Sequence, residues 1–221
     1  MRYIKVVLLF ACIFQSCQKD STCIAHYTFT SKELNLIPYI GNETIILEDS
    51  LHSTRTFNCN NPEWSDQGME TLNIGEGSSY FYSIDRKSAI FTSNWTEKSL
   101  EIFLTINVEN FDFDNSSQNV IIKKNFYITI PNLLTPGPIY YTEFHRKIEN
   151  ENLVLENTDI FYDSVIIDSV QYFNVYKLSG SYKKCEKKID SDTYPEVIYY
   201  SATNGLISVR MTDGHSWYIK N

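Results

Sequence analysis

Period-two alternation constrains this chain more than any other feature. Leu100, Ile102, Leu104, Ile106 and Val108 fall on one face of an extended segment. Glu101, Thr105 and Asn107 fall on the other, together with Phe103. Alternation of that length predicts a half-buried antiparallel strand. Val120, Ile122, Phe126, Ile128 and Ile130 repeat the pattern, interrupted by Lys124, and Val165–Ile167 and Tyr172–Leu178 read as two more strands. Near the C-terminus, Val197–Ser201, Leu206–Met211 and Ser216–Ile219 are separated by Asn204-Gly205 and Asp213-Gly214. Such dipeptides reach positive φ cheaply and favour tight turns, so a three-strand meander is predicted. Sixteen tyrosines and thirteen phenylalanines suit strands as well.

Helix is scarce. Thr30 and Glu33 fit a capping box ahead of Leu34 and Leu36. Pro38 is expected to end that helix after about two turns. Tyr141–Glu151 reads either as a second helix or as a strand, and Pro131, Pro136 and Pro138 mark a turn region. The 221 residues suffice for one good-sized core or two small ones, and no linker suggests a boundary. The expectation is all-β: an antiparallel sandwich or strongly curved sheet with one short N-terminal helix, a single domain over residues 23–221.

The N-terminus reads as an address. Arg2 and Lys5 precede a nine-residue apolar stretch, Val6–Phe14. It falls short of the roughly 20 apolar residues that a spanning helix needs, and no later stretch reaches that length. Phe14-Gln15-Ser16-Cys17 follows, then polar Gln18-Lys19-Asp20. This resembles a bacterial lipobox, with residues 1–16 as signal peptide and 17–22 as a short tether. A rival box ends at Cys12, but apolar Ile13 and Phe14 follow it. The resemblance implies that Cys17 is diacylated on sulfur and acylated on nitrogen, palmitate among the chains. The alternative is ordinary cleavage near Ser16, with Cys17 a plain thiol. Gln18-Lys19-Asp20 also resembles the export signal of surface lipoproteins in Bacteroidota, which implies an outer-membrane location with surface display. Cleavage before Cys17 removes two bases and no acid, moving the formal charge from −8 to −10. So acidic a chain is a poor phosphate-backbone binder and is expected to stand off anionic headgroups.

Two further stretches carry a family resemblance. TFTSKELNLIPYIGNETIILED and the C-terminal SVQYFNVYKL with VIYYSATNGLISVRMTDGHSWYI resemble Bacteroidota lipoproteins that have no assigned activity. The shared residues look like strand and turn chemistry: Gly205 permits a turn, and Trp217 packs the last strand. The middle, Leu51 to Asn157, resembles nothing nameable.

In an oxidising compartment Cys23, Cys59 and Cys185 allow one disulfide. Polar surroundings favour Cys59–Cys185, whereas Cys23 opens an apolar strand. No cysteine or histidine spacing suits a metal, and no cofactor fingerprint is present. The four histidines, His26, His52, His145 and His215, form no local pair and read as solvated or core-edge residues. Asp112, Asp114, Ser116 and Gln118 imitate a calcium loop, but Ser117 and Lys123 occupy its glycine and bidentate-acid places, so a polar hairpin tip is the better reading. Nearby acids such as Glu149 and Glu151 are expected by chance among 27. Asn42, Asn94 and Asn115 fit Asn-x-Ser/Thr, and Ser50, Ser164 and Ser169 stand in Asp-Ser-apolar triplets that resemble the O-glycosylation acceptors of Bacteroidota. Lys183, Lys184, Lys187 and Lys188 are candidates to protect a sheet edge.

Trp64 and Trp95 lie in turn-like stretches and are the candidate ligand-binding residues, since an exposed indole stacks on a sugar or anchors a protein partner. The competing reading folds each back over the sheet. These features together suggest a membrane-anchored, non-enzymatic module binding a glycan or protein and no nucleic acid. Alternatives are a glycan- or peptide-directed hydrolase with a non-local acidic or histidine site, and a structural component of envelope assembly.

Overall fold

The computed structural model describes residues 20–59, 68–74, 78–95, 99–109, 120–134, 140–184 and 193–220. The expected all-β class is what these residues form: sixteen strands and one turn of α-helix. Most strands belong to one large antiparallel sheet. Its order runs from β10 (Asn152–Leu153) through β9 (Tyr140–Glu149), β8 (Ile121–Pro131), β7 (Leu100–Glu109) and β6 (Lys87–Thr92) to β3 (Thr54–Cys59). It continues through β2 (Thr44–Asp49), β16 (Ser216–Ile219), β15 (Gly205–Met211), β14 (Pro195–Ser201), β12 (Val170–Ser179) and β11 (Ile160–Ile167).

The sheet closes on itself. β12 pairs with β14 through Val175–Ser179, and after Gly180 the chain continues as β13 (Ser181–Lys184), which pairs with β9. One polypeptide stretch thus joins β14 to β9 and completes a ring of ten strands, counting β12 and β13 as one. Gly180 stands at the crossing, where a Cβ would collide with Thr142 Cγ2 and the Phe144 ring. Closure pairs strands that an open sheet of this size would leave as edges, while β10 and β11 remain at the ends of the order. Lys183 and Lys184 lie in β13, which among the described residues pairs with β9 on one side.

The interior of the ring is the core. Leu100, Ile102, Leu104 and Ile106 point inward as their alternation predicts, and meet Phe126, Ile128 and Ile130 of β8. Phe57, Phe91, Phe144, Tyr200 and Trp217 fill the space between. Lys124 breaks the β8 pattern because its Nζ reaches Glu33 Oε2 at 2.6 Å. That oxygen also accepts from Thr30 N at 2.7 Å, so the expected capping box is formed. The helix it starts, α1 (Ser31–Leu34), is one turn and not two. Lys87 Nζ takes the Leu34 and Ile37 carbonyls at 2.8 and 2.7 Å, which ends the helix before Pro38.

The meander β14–β15–β16 is present as predicted. Gly205 has φ +72° and Gly214 φ +88°. Tyr141–Glu151 is strand β9 and the start of a turn, not helix. Asn150 and Glu151 take φ +49° and +63° and turn the chain into β10. A smaller sheet of order β1 (Asp20–Tyr27), β5 (Ser78–Ile84), β4 (Gly68–Ile74) includes one parallel pairing, β1 with β5. Tyr27 and Ile84 pack against the main core. Because β1 starts at Asp20, the last residues of the expected tether are strand.

Candidate functional site

The β11–β12 hairpin creates the best-formed concavity. Asp168 and Ser169 both have positive φ, +47° and +65°, and connect Ile167 to Val170 in a two-residue turn. Two left-handed residues in succession give the turn whose twist matches the flanking strands. Near the tip, Val165, Ile167 and Tyr172 pack with Val175, Ile207 and Tyr199 as a second apolar cluster, separate from the main core. The hairpin therefore leans against the outside of the ring. Between its tip and the β2–β16 wall lies a cleft of about 490 Å³.

One wall of the cleft is apolar: Ile167, Val170, Tyr172 and Ile207. The other is ionic. Asp49 Oδ1 accepts from Leu51 N at 2.9 Å and Ser53 N at 2.8 Å, closing the β2–β3 loop. His52, at φ +60°, is folded back so that its Nδ1 meets Glu48 Oε1 at 2.6 Å. Lys220 Nζ reaches Glu48 Oε2 at 2.5 Å. Hydrogen bonds from His52 and then Lys220 hold the Glu48 carboxyl below its ordinary value. Glu48 is thus kept as a carboxylate between two donors, facing an apolar wall. Tyr218 adds an aromatic face beside it, and Asp168 an exposed carboxylate at the mouth.

Two shallower hollows are occupied by structural bonds. One of about 630 Å³ is lined by Ser31, Ile37, Ile40 and Lys87 among others. Its only lining cation among the described residues, Lys87, has its charge engaged by the Leu34 and Ile37 carbonyls, and burial pushes the ammonium below its usual value. The other, about 270 Å³, is bounded by Arg55 and Trp95.

Trp95 is half-buried. The Arg55 guanidinium lies 3.7 Å from its ring centroid and 5.0 Å from that of Trp217, a cation held against two indoles. Arg55 Nε also donates to the Leu133 carbonyl at 2.9 Å. One face of Trp95 is therefore taken by the protein itself, and its Nε1 is buried. Trp64 and Cys17, the expected lipidation residue, lie outside the described residues. Cys59 is a free, buried thiol that burial pushes up, and its expected partner Cys185 lies outside the described residues.

Sequence reasoning missed a second constellation. His26 Nδ1 lies 2.5 Å from Ser83 Oγ, and His26 Nε2 lies 3.2 Å from Asp85 Oδ1. His26 and Ser83 are register partners in the parallel β1–β5 pair, so the pairing itself brings them together. The connectivity is that of a nucleophile, a base and an orienting carboxylate. Ser83 is only 2% exposed, however, behind a half-exposed imidazole. The signal in sequence was the short Ser83–Asp85 spacing, which means nothing until a parallel strand places His26 beside it. Among the described residues no group of three or more His, Cys, Asp and Glu is arranged to hold a metal, and no helix is long and apolar enough to cross a membrane.

Comparison with protein-family models, with curated proteins and with solved structures finds no match to this chain.

Proposed function

We propose that this chain is a lipid-anchored outer-membrane protein that binds a glycan or protein ligand without transforming it, in the cleft between the β11–β12 hairpin and the β2–β16 wall. The observation that carries the reading is the Glu48 carboxylate held between His52 and Lys220 opposite Tyr172, Val170 and Ile207. Recognition sites pair apolar walls with a few fixed polar groups in this manner. The lipobox resemblance at Cys17 supports the anchor, and the polar run after it supports surface display.

Two measurements test it. Acyl labelling and protease accessibility on intact cells, with Cys17→Ala as control, test anchor and face: labelling that survives the substitution overturns the anchor. Glycan-array and in-cell crosslinking profiles of wild type against Tyr172→Ala and Lys220→Ala test the cleft. Ligands retained undiminished by both variants overturn its role.

A second reading, a hydrolase, draws support from the Ser83–His26–Asp85 chain. In it the Ser83 hydroxyl attacks an ester carbonyl while His26 Nδ1 takes the proton and passes it to the leaving alcohol, and water then cleaves the acyl-serine to the acid and restores Ser83. Labelling by a fluorophosphonate that disappears in both Ser83→Ala and His26→Ala would favour it. Absence of labelling leaves the three residues as a staple between β1, β5 and the turn that follows.

A further inference from the structure

β11 stands at the end of the strand order and pairs with β12 alone among the described residues. Its outer main-chain groups need water or another strand. Proteins commonly blunt such an edge with lysine, proline or a cover, and β11 (Ile160-Phe161-Tyr162-Asp163-Ser164-Val165-Ile166-Ile167) contains no lysine and no proline. Its exposed residues include the apolar Ile160, Phe161 and Ile166. Ile166 is 70% exposed and Phe173 57%. Phe173 lies opposite Ser164, two residues from Ile166, so the two are diagonal neighbours on one face.

The charges select the occupant. β11 carries one charge, Asp163, and the turn adds Asp168, both exposed. The edge runs directly into the cleft, whose rim holds Glu48, Asp49 and Asp168 against Lys220 and His52. A second copy of the chain is a poor partner. It brings another formal charge of −8 to an edge whose own charge is the carboxylate Asp163.

We propose that β11 receives an extended, basic peptide segment as an added strand, with apolar side chains on the Ile166–Phe173 face and lysine or arginine directed at Asp163, Asp168 and the cleft. Main-chain hydrogen bonds supply the affinity and the alternating side chains the selectivity. This rests on the cleft being a ligand site and names the partner that it takes.

The test uses the full-length chain in neutral detergent and a capped, fluorescent octapeptide alternating valine with lysine. A valine–glutamate octapeptide is the control. Saturable binding of the lysine peptide is expected, with slowed amide exchange along β11. Ile166→Lys changes an exposed residue and is expected to weaken binding about tenfold or more, as is Asp163→Asn combined with Asp168→Asn. Equal binding of both peptides, unchanged affinity in Ile166→Lys, or self-association through β11 without peptide uptake overturns the proposal. A glycan bound in a Tyr172-dependent manner, with no peptide uptake, overturns it while leaving the cleft reading intact.

Discussion

Arg146 of β9 and Asp159, just before β11, form a two-bond ion pair inside the protein. Arg146 Nη2 meets Asp159 Oδ1 at 2.5 Å, Nε bonds Oδ2, and the two side chains are 3% and 0% exposed. Arg146 Nη2 also donates to the Ser179 carbonyl at 2.7 Å, and Asp159 accepts from Ser179 N at 3.0 Å and Glu156 N at 2.8 Å. The pair therefore ties β9 to β12 at the place where the sheet closes, one residue from Gly180.

Asp159→Asn removes the buried counter-charge of Arg146, leaving it only the exposed Glu156 carboxylate at 3.7 Å, and is predicted to cost about 3–5 kcal/mol. Urea unfolding of the variant measures this, and replacing both partners with apolar residues is expected to recover much of the loss. A pH arm follows. Burial pushes the Asp159 carboxyl up, but the Arg146 guanidinium and the Ser179 and Glu156 amides outweigh it and hold the group below its ordinary value. A depressed carboxyl stabilises the fold fully above its unfolded value of about 4 and loses that contribution as pH falls through the lower folded value. Wild type should thus lose stability below about pH 4 more steeply than Asp159→Asn.

Gly205 carries two constraints at once. Its φ of +72° is costly for any residue with a Cβ, and a Cβ there would collide with the Tyr39 phenol oxygen. That oxygen accepts from Leu206 N at 2.8 Å, so Tyr39 is not at liberty to move. Gly205→Ala is predicted to cost about 2–5 kcal/mol, the sum of left-handed strain and overpacking. In a Tyr39→Phe background the steric part should shrink. Equal penalties in both backgrounds would show that the hydroxyl adds no steric cost beyond that of the ring carbon and φ.

The β class and several of its strands were legible because their causes are local. Alternation placed Leu100–Ile106 and Phe126–Ile130, and glycine placed the turns of the meander. Closure was not legible. Tyr172–Leu178 reads as one strand, and nothing local says that its continuation past Gly180 changes partner from β14 to β9. The two strands flanking Asp168-Ser169 were legible, but the turn lacks glycine and nothing local says that the hairpin leans on the ring to build the cleft or that Glu48, His52 and Lys220 meet beside it. Trp95 was visible as an aromatic in a turn, but its contact with Arg55 depends on strands 40 residues apart in sequence coming together.

Cys59 makes a sharp chemical prediction. Its side chain alternates inward with Phe57, it is 6% exposed, and burial pushes the thiol up. The reactive thiolate is therefore scarce and shielded, and Cys59 should resist alkylation in the native chain. Peptide mapping after unfolding without reductant separates two states. A free thiol alkylates at once, whereas a Cys59–Cys185 bridge leaves Cys59 unmodified until reductant is added.

His145 should set the slope of stability in mildly acidic solution. Its ring stacks on Tyr127 at 4.4 Å, which stacks on Phe103 at 4.8 Å, and its Nε2 donates to Asn125 Oδ1 at 2.9 Å. Burial pushes the imidazole below its ordinary value, against the opposing pull of Glu143 and Glu156. A base depressed in the folded state is protonated more readily by the unfolded chain. Stability is therefore intact above the unfolded value of about 6.5 and declines as pH falls toward the lower folded value. His145→Phe keeps a ring in the stack and removes the titrating group. Thermal midpoints between about pH 7.5 and pH 5 should fall for wild type and fall less for the variant. Parallel slopes would mean that His145 does not carry the acid sensitivity of the outer face.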